Sequence, residues 1–484
     1  MTSGRRAGEI ELIPPRSRFR YIRDPVYGYI IVTRPTSSSE VAEESLLVSP
    51  WIQRLRRIHQ NQTVFTAYPS ATHTRYQHSL GVMHLAGKFA RGLYQPYYEA
   101  RRSRSLPSPN YVEEVFRLAG LFHDVGHGPM SHLFDTGYSK QFGTNHEQIG
   151  RLIFNAHFRE LVSEISRSPH GSCDKINPEH VLLVLYAPVE QPAPSWIRIL
   201  RPLLSDPVFD VDKADYLMRD SLFTGTREYG AIDWRGIYYR MWYTDEGIAY
   251  HRTAAGILSS FCESRFRMYQ NVYFHHRAQE AELSILATVK RLAEHHRVGD
   301  PAKNLGAYLA IDDHCFDRTA REWALGTDDL RPLGQAWVDA LDGKPRLRQA
   351  YRIDEHTIGG GRLRGVIEFL GGGTQGIKAL EDSIAGEFDG GDDVSIQLKG
   401  TPLDIRPENP AIGGIGGRFV NIYEDGDSAP RQYPSAELLA GLPEKYFVLG
   451  VFSDCSDDDR ARLKQLCTAR FRSAGRTLVQ DTSY

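Results

Sequence analysis

The chain has 484 residues, 41% of them hydrophobic, which is enough for two or three domains with buried cores. A formal net charge of −2 leaves no global field to recruit nucleic acid or an acidic membrane, so any anion binding must rest on local clusters. Five widely spaced cysteines (173, 262, 315, 455 and 467) form no CxxC pair, which argues against a zinc ribbon or a disulfide framework and suits a reducing cytoplasm. The first twenty residues carry basic side chains but no apolar core, so no signal peptide is expected. No run approaches the roughly 18 apolar residues that a membrane helix needs. A cytoplasmic protein with no membrane segment is the expectation.

Residues 1–20 are polar and proline-bearing, and are expected to form an arm. Asp24 to Val32 predicts a turn and a short β segment. A helix is expected from Pro50 to about Gln60, with Trp51, Ile52, Leu55 and Ile58 as its apolar stripe and Arg54, Arg56 and Arg57 on the other face. Leu80 to Leu93 gives a helical apolar face, with His78 near the helix start. A polar connector at 101–110 precedes a helix from Glu113 to Phe122, and another helix begins at Asn145-His146-Glu147. Helical patterns recur at 176–190, 193–204 and Val211–Met218, and from Gly256 to about His296. Beyond residue 355 glycine clusters at 359–361, 371–373 and 413–417 alternate with strand-like runs at 365–370, 394–398, 419–423 and 446–452. Ser456 then caps a final helix expected to stop before Gly475. The expected fold is mainly α: an arm (1–20), a helical core (21–300) with a helical extension (301–355), and a smaller C-terminal α+β region (356–484).

The densest chemistry lies in Arg117–Asp135, RLAGLFHDVGHGPMSHLFD. An apolar run leads into His123-Asp124, Gly126 and Gly128 flank His127, and His132 and Asp135 follow at helical i,i+3 spacing. Imidazole next to carboxylate is a good donor set for a first-row divalent ion. The glycines would let backbone and substrate approach the ion, and Asp135 could orient the ring of His132. A buried helix end with capping histidines is the plain alternative. Two adjacent ligands are too few for a mononuclear site. His78 and Asp212 are candidates for the rest, the latter on a helix that carries Asp215, Tyr216 and Asp220 along one face.

His78, His123-Asp124 and Asp212 match the H…HD…D signature of HD-domain phosphohydrolases. HTRYQHSLGV (73–82), AGLFHDVGHGPMSHLFD (119–135), NHEQ (145–148), VDKADYLMRD (211–220) and MYQNVYFHH (268–276) occur in the order found in one branch. Over residues 20–300 the chain resembles the HD-domain deoxynucleoside triphosphate triphosphohydrolases. The resemblance implies a divalent metal (Mn, Fe, Zn or Mg) on His78, His123, Asp124 and Asp212. It implies hydrolysis of a dNTP to deoxynucleoside and inorganic triphosphate, with His146, His132, His127 and Asp135 in catalytic roles. In the family, His127 and His132 lie beside the α-phosphate, where an imidazolium could donate to the leaving oxygen. Arg75, Lys213 and Arg265 match phosphate-gripping positions, and Gln60, Asn61, Tyr216, Asp220 and Tyr273 match sugar contacts. Tyr273 as a core ring and Arg265 as a surface ion pair are the plain alternatives. Two positions depart from a vertebrate member: Asn61 replaces a leucine against the sugar, and Val48 replaces an aspartate that reads an activating guanine, although Gln53 and Arg56 remain. Another HD-type phosphohydrolase or phosphodiesterase on a different nucleotide, or a non-catalytic nucleotide-binding regulator, are the competing expectations. A nucleotide activator and a homodimer or homotetramer are further implied partners, with Trp234, Tyr238 and Tyr239 as candidate contacts; nucleic acid is not.

Overall fold

The computed structural model describes residues 18–101, 103, 105–186, 192–206, 208–354, 373–388, 396–404, 419–426, 429–434 and 445–481. Most of the arm and the glycine clusters at 359–361 and 413–417 therefore lie outside the described residues, as does the strand expected at 365–370.

A hairpin opens the described chain, with β1 (Phe19–Asp24) and β2 (Gly28–Thr33) paired antiparallel. Its turn is closed by Asp24, whose Oδ1 accepts from the backbone nitrogens of Val26 and Tyr27. The helix expected at 50–60 is shorter, Pro50–Arg54, and tightens into a 3₁₀ turn at Leu55–Arg57. Its apolar stripe is buried as expected. Arg54 is a correction: it is fully buried (0% exposed), and its guanidinium donates to the carbonyls of Ile311 and His127 instead of facing solvent.

Two long helices form the centre. α1 (Arg75–Arg101) buries Leu80, Val82, Met83, Leu85, Ala86 and Phe89 against α2 (Pro109–Phe122). Each fully buried side chain of this kind contributes roughly 1.5–3 kcal/mol. Ser108 caps α2 by accepting from Tyr111 N at 3.2 Å, with Pro109 at the first helical position. α3 (His132–Gly137) and α4 (His146–Ile153) follow, the second opened by a capping box between Asn145 and Gln148. Helices Pro178–Tyr186 and Ser195–Leu200 cover one side. α5 (Val211–Thr224) is capped by Asp210 and ends at Gly225 in the left-handed region (φ +78°). The long pattern after 256 is α6 (Ala255–Met268), a π turn at Tyr269–Tyr273, and α7 (His276–His295). Leu305–Leu309, α8 (Asp313–Leu325) and Arg331–Leu341 complete the helical part.

The fold is mainly α, with small sheets. A hairpin not anticipated from sequence, β3 (Met241–Thr244) and β4 (Gly247–His251), lies within the helical core. Further along are β5 (Arg348–Asp354), a helix at Gly373–Glu387, β6 (Ile396–Asp404), β7 (Phe419–Tyr423), β8 (Arg431–Pro434) and β9 (Lys445–Ser453). β9 sits between β5 and β6, antiparallel to both. β7 runs parallel to β4, with Ala249 opposite Asn421, so strands from beyond residue 356 extend a sheet of the core. The last helix, Asp457–Asp481, continues past Gly475 rather than stopping before it. Trp234 is a core residue, whereas Tyr239 is 75% exposed. No described helix is long and apolar enough to cross a membrane.

Candidate functional site

Three helices carry the first cluster. His78 lies one turn into α1, His123 caps the end of α2 with Asp124 next, and Asp212 is in the first turn of α5. His78 Nε2 is 3.2 Å from His123 Nε2 and 2.9 Å from Asp212 Oδ1. His123 Nε2 is 3.6 Å from Asp212 Oδ1 and 3.5 Å from Asp124 Oδ1, while Asp124 Oδ2 is 3.8 Å from His78 Nε2. Three of the four residues expected to hold a metal, His78, His123 and Asp212, therefore converge, and Asp124 lies beside them, paired with Arg75.

The far nitrogens of the two rings explain this orientation. His123 Nδ1 donates to the Gly120 carbonyl at 2.8 Å, and His78 Nδ1 donates to Asp215 Oδ2 at 2.8 Å. Both partners accept, so each Nδ1 holds the hydrogen and each Nε2 presents a lone pair. Two lone pairs 3.2 Å apart beside two carboxylates require positive charge between them. A divalent cation fits that donor set, and Asp215 and Gly120 act as the outer partners that such a site needs. With protons as the only cations, burial lowers the basicity of His78, but the hydrogen bonds to Asp212 and Asp215 outweigh it and raise its pKa to about 10. Asp215 itself is clamped by Arg219, which also pairs with Asp24 at 2.8 Å.

The second cluster groups His127, His132, Asp135 and His146. Here the expected pairing is corrected. Asp135 Oδ2 accepts from His146 Nδ1 at 2.5 Å, whereas His132 Nδ1 is 4.0 Å away. The ring of His146 stacks on that of His127, with centroids 3.8 Å apart and planes 13° from parallel. His127 Nε2 lies 3.4 Å from Asp124 Oδ1 and so joins the two clusters. Burial, then Arg75 and His146, hold the pKa of His127 well below the usual histidine value. His132 stands at the cavity mouth with its side chain 61% exposed. The glycines around His127 serve packing: a Cβ on Gly126 would strike the backbone of His146 and Gly150, and one on Gly128 would strike the Phe134 ring. They admit neighbouring protein rather than substrate.

Both clusters line one cavity of about 540 Å³, together with Gln60, Asn61, Arg75, Tyr216, Asp220 and Tyr273. Gln60 Oε1 and Asn61 Nδ2 are buried and have no partner within the protein. Arg75 is bound to the site itself, with Nη1 2.5 Å from Asp124 Oδ2 and Nε donating to Ser131 Oγ at 2.8 Å. Burial disfavours the Asp124 carboxylate, yet Arg75 and the neighbouring histidines hold its pKa well below the usual range. Asp220 accepts from His73 and from the Tyr273 hydroxyl, both at 2.7 Å. Lys213 and Arg265 are not among the lining residues. Lys213 Nζ donates to Asp206 O at 2.9 Å and pairs with Asp210, and the Arg265 guanidinium lies 5.6 Å from the centre of the Tyr269 ring.

Residues 75–220 match the HD domain family. An HD domain therefore occupies residues 75–220. An uncharacterized protein of Mycoplasma genitalium is 30% identical over 282 residues, covering 56% of this chain and 60% of that protein. The deoxynucleoside triphosphate triphosphohydrolase SAMHD1 of Homo sapiens is 30% identical over 224 residues, covering 42% of this chain and 33% of that one. The HD-domain chain spans about 60% of the length of the first curated relatives it matches. A hypothetical protein from Aquifex aeolicus shares the fold, with a TM-score of 0.64 at 18% identity over 93% of this chain and 100% of its own.

Sequence reasoning missed four members of this HD-domain site. Asp215 was visible on the Asp212 face, but its bond to His78 was not. His73 opens the HTRYQHSLGV motif but was given no role, and Gln62 and Glu282 carried no distinguishing pattern. With its amide turned so that the nitrogen faces Glu282, Gln62 accepts from His132 N at 3.3 Å.

Proposed function

We propose that this HD-domain protein is a metal-dependent phosphohydrolase that converts deoxynucleoside triphosphates into deoxynucleoside and inorganic triphosphate. The observation that carries it is the convergence of two hydrogen-locked imidazole lone pairs and the Asp212 carboxylate on one point of a polar cavity, with the Asp124 carboxylate beside them. His78, His123, Asp124 and Asp212 would hold a divalent cation, which supplies Lewis-acid polarisation of a phosphoryl oxygen and lowers the pKa of water. Asp215 and the Gly120 carbonyl keep both rings in the required tautomer. Arg75 offsets the carboxylate charge that would repel a phosphate. His146, oriented by Asp135 through Nδ1, is the group that passes a proton at its other ring nitrogen. His127 stays neutral beside it and contributes a hydrogen bond without charge.

The likeness to a named dNTP triphosphohydrolase supports the choice of substrate. Gln60 and Asn61 supply unpartnered amide atoms, and the rings of Tyr216 and Tyr273 lie 6.3 Å apart on the same cavity. Chromatography of products after incubation with each dNTP and Mn²⁺, Fe²⁺ or Zn²⁺ should show inorganic triphosphate. Release of pyrophosphate or monophosphate without triphosphate would sink the proposal. One observation favours a second substrate class: the Asn61 amide offers a donor that an apolar side chain would not. Ribonucleotide turnover equal to dNTP turnover in the same panel would select that class.

A further inference from the structure

Two segments outside the helices and sheets edge the cavity as its walls: residues 59–62, of which Gln60, Asn61 and Gln62 line it while His59 forms a single bridge to Thr74, and residues 127–131, of which His127 lines it. In the second wall Met130 and Ser131 are consecutive non-glycine residues in the left-handed region, with φ of 57° and 55°. Side chains with a Cβ disfavour that conformation, so surrounding contacts must impose it. His132 follows directly, and Gln60 follows His59 in the other wall.

One carboxylate ties both walls. Asp313, 4% exposed at the start of α8, accepts from Met130 N at 2.7 Å through Oδ1. Its Oδ2 accepts from His59 N and from His59 Nδ1, both at 2.8 Å. Ser131 closes the frame: its hydroxyl donates to His59 O at 2.7 Å and accepts from Arg75 Nε. Neighbouring residues brace the same loop, because Tyr308 OH donates to Gly126 O at 2.8 Å and Arg54 links Ile311 O to His127 O. This brace lies beyond the region that matches the HD domain.

We propose that Asp313 is a positioning residue: its three hydrogen bonds set the orientation of His132 and Gln60 across the cavity. Its consequence for turnover rests on the phosphohydrolase reading; its geometry does not. An asparagine at this position keeps one acceptor oxygen, enough for Met130 N, and loses the bonds from His59. Alanine loses all three.

The test uses the full chain with Asp313→Asn and Asp313→Ala. Four quantities are measured: metal content, thermal unfolding, kcat and KM on the best dNTP, and amide hydrogen exchange. Exchange should rise at residues 59–62 and 130–133 and stay unchanged in α1 and α2. Metal content should match the wild type, because the four ligands sit on other elements. We expect kcat to fall roughly 10- to 100-fold, more for Ala than for Asn, with KM moving less than about threefold, the pattern of a misplaced reacting group. Adding Met130→Gly to Asp313→Asn should recover part of kcat, since glycine adopts φ near +57° without strain. In the wild-type background the same change should only reduce it. The proposal is overturned if Asp313→Ala leaves kcat within about twofold of wild type. It is equally overturned if exchange rises across the whole fold, or if activity falls only in step with lost metal. Should the wild type hydrolyse no nucleotide, the phosphohydrolase reading fails, and exchange alone decides: loosened walls keep Asp313 as the brace, and unchanged walls remove it.

Discussion

The two histidine clusters share one cavity and similar residue types, yet they are wired in opposite ways. In the first, the Nδ1 atoms of His78 and His123 are engaged by acceptors behind them, so both Nε2 atoms point at a common centre. In the second, Asp135 engages His146 from within the cluster, and His127 stacks on that ring. His127 Nδ1 and Asp135 Oδ1 are left buried without a partner. The first arrangement is preorganised for a cation. The second keeps a His–Asp pair and unmatched polar atoms, the arrangement that the proposed acid–base role would use. Second partners, more than residue type, separate an ion site from an acid–base site.

The largest expected effect separates the clusters outright. Asp212→Ala should abolish bound metal and lower turnover on the order of 10³-fold or more, read by elemental analysis beside product release. His146→Ala should lower kcat by roughly 10²–10⁴-fold while metal content stays at the wild-type value. Equal metal loss in both variants would erase the distinction. Asp215→Asn should weaken metal affinity by about 10–100-fold through the freed His78 ring, measured by competition with a chelator. It should also lower the melting temperature, because Arg219 loses a buried partner.

The smallest effect concerns pH. His78 and His84 lie six residues apart on α1 and shift in opposite directions. His84 is driven down to about 3, by burial first and then by Arg117 and Lys88. Its folded pKa lies below the unfolded value of about 6.5, so the native state binds fewer protons and loses stability as pH falls below that value. Thermal melts should therefore drop between about pH 6.5 and 4, and His84→Gln should flatten that slope. An unchanged slope would place the acid sensitivity elsewhere.

Much of the first cluster was legible in the sequence. His123-Asp124 at a helix end, and histidine or aspartate at the starts of two other helices, are local facts with a known resemblance. The second cluster was only half legible. Asp135 and His132 share a helix face, so i,i+3 spacing pointed to their pairing, but a turn between α3 and α4 brings His146 closer. Lys213 stands beside Asp212 and looked poised for phosphate, yet it turns back to Asp210, three residues earlier, whose side chain also caps α5. Arg54 looked solvated from its charge alone, because the carbonyls of Ile311 and His127 that receive it come from distant stretches. The strand at 446–452 was readable from its β-branched and aromatic residues, whereas its partners on both sides were not.

By itself the sequence determined the helices, their caps, and the residue types that can hold a cation, since each depends on neighbours within a few positions. Tertiary structure decided which atom of each side chain is available. Ring nitrogens and carboxylate oxygens take their role from whatever lies behind them, and at this site those partners are the Gly120 carbonyl, Asp215, Ser131 and Asp313. Hydrogen bonds saturate, so a group already engaged cannot serve a ligand, and that engagement spans up to 254 residues of chain between His59 and Asp313.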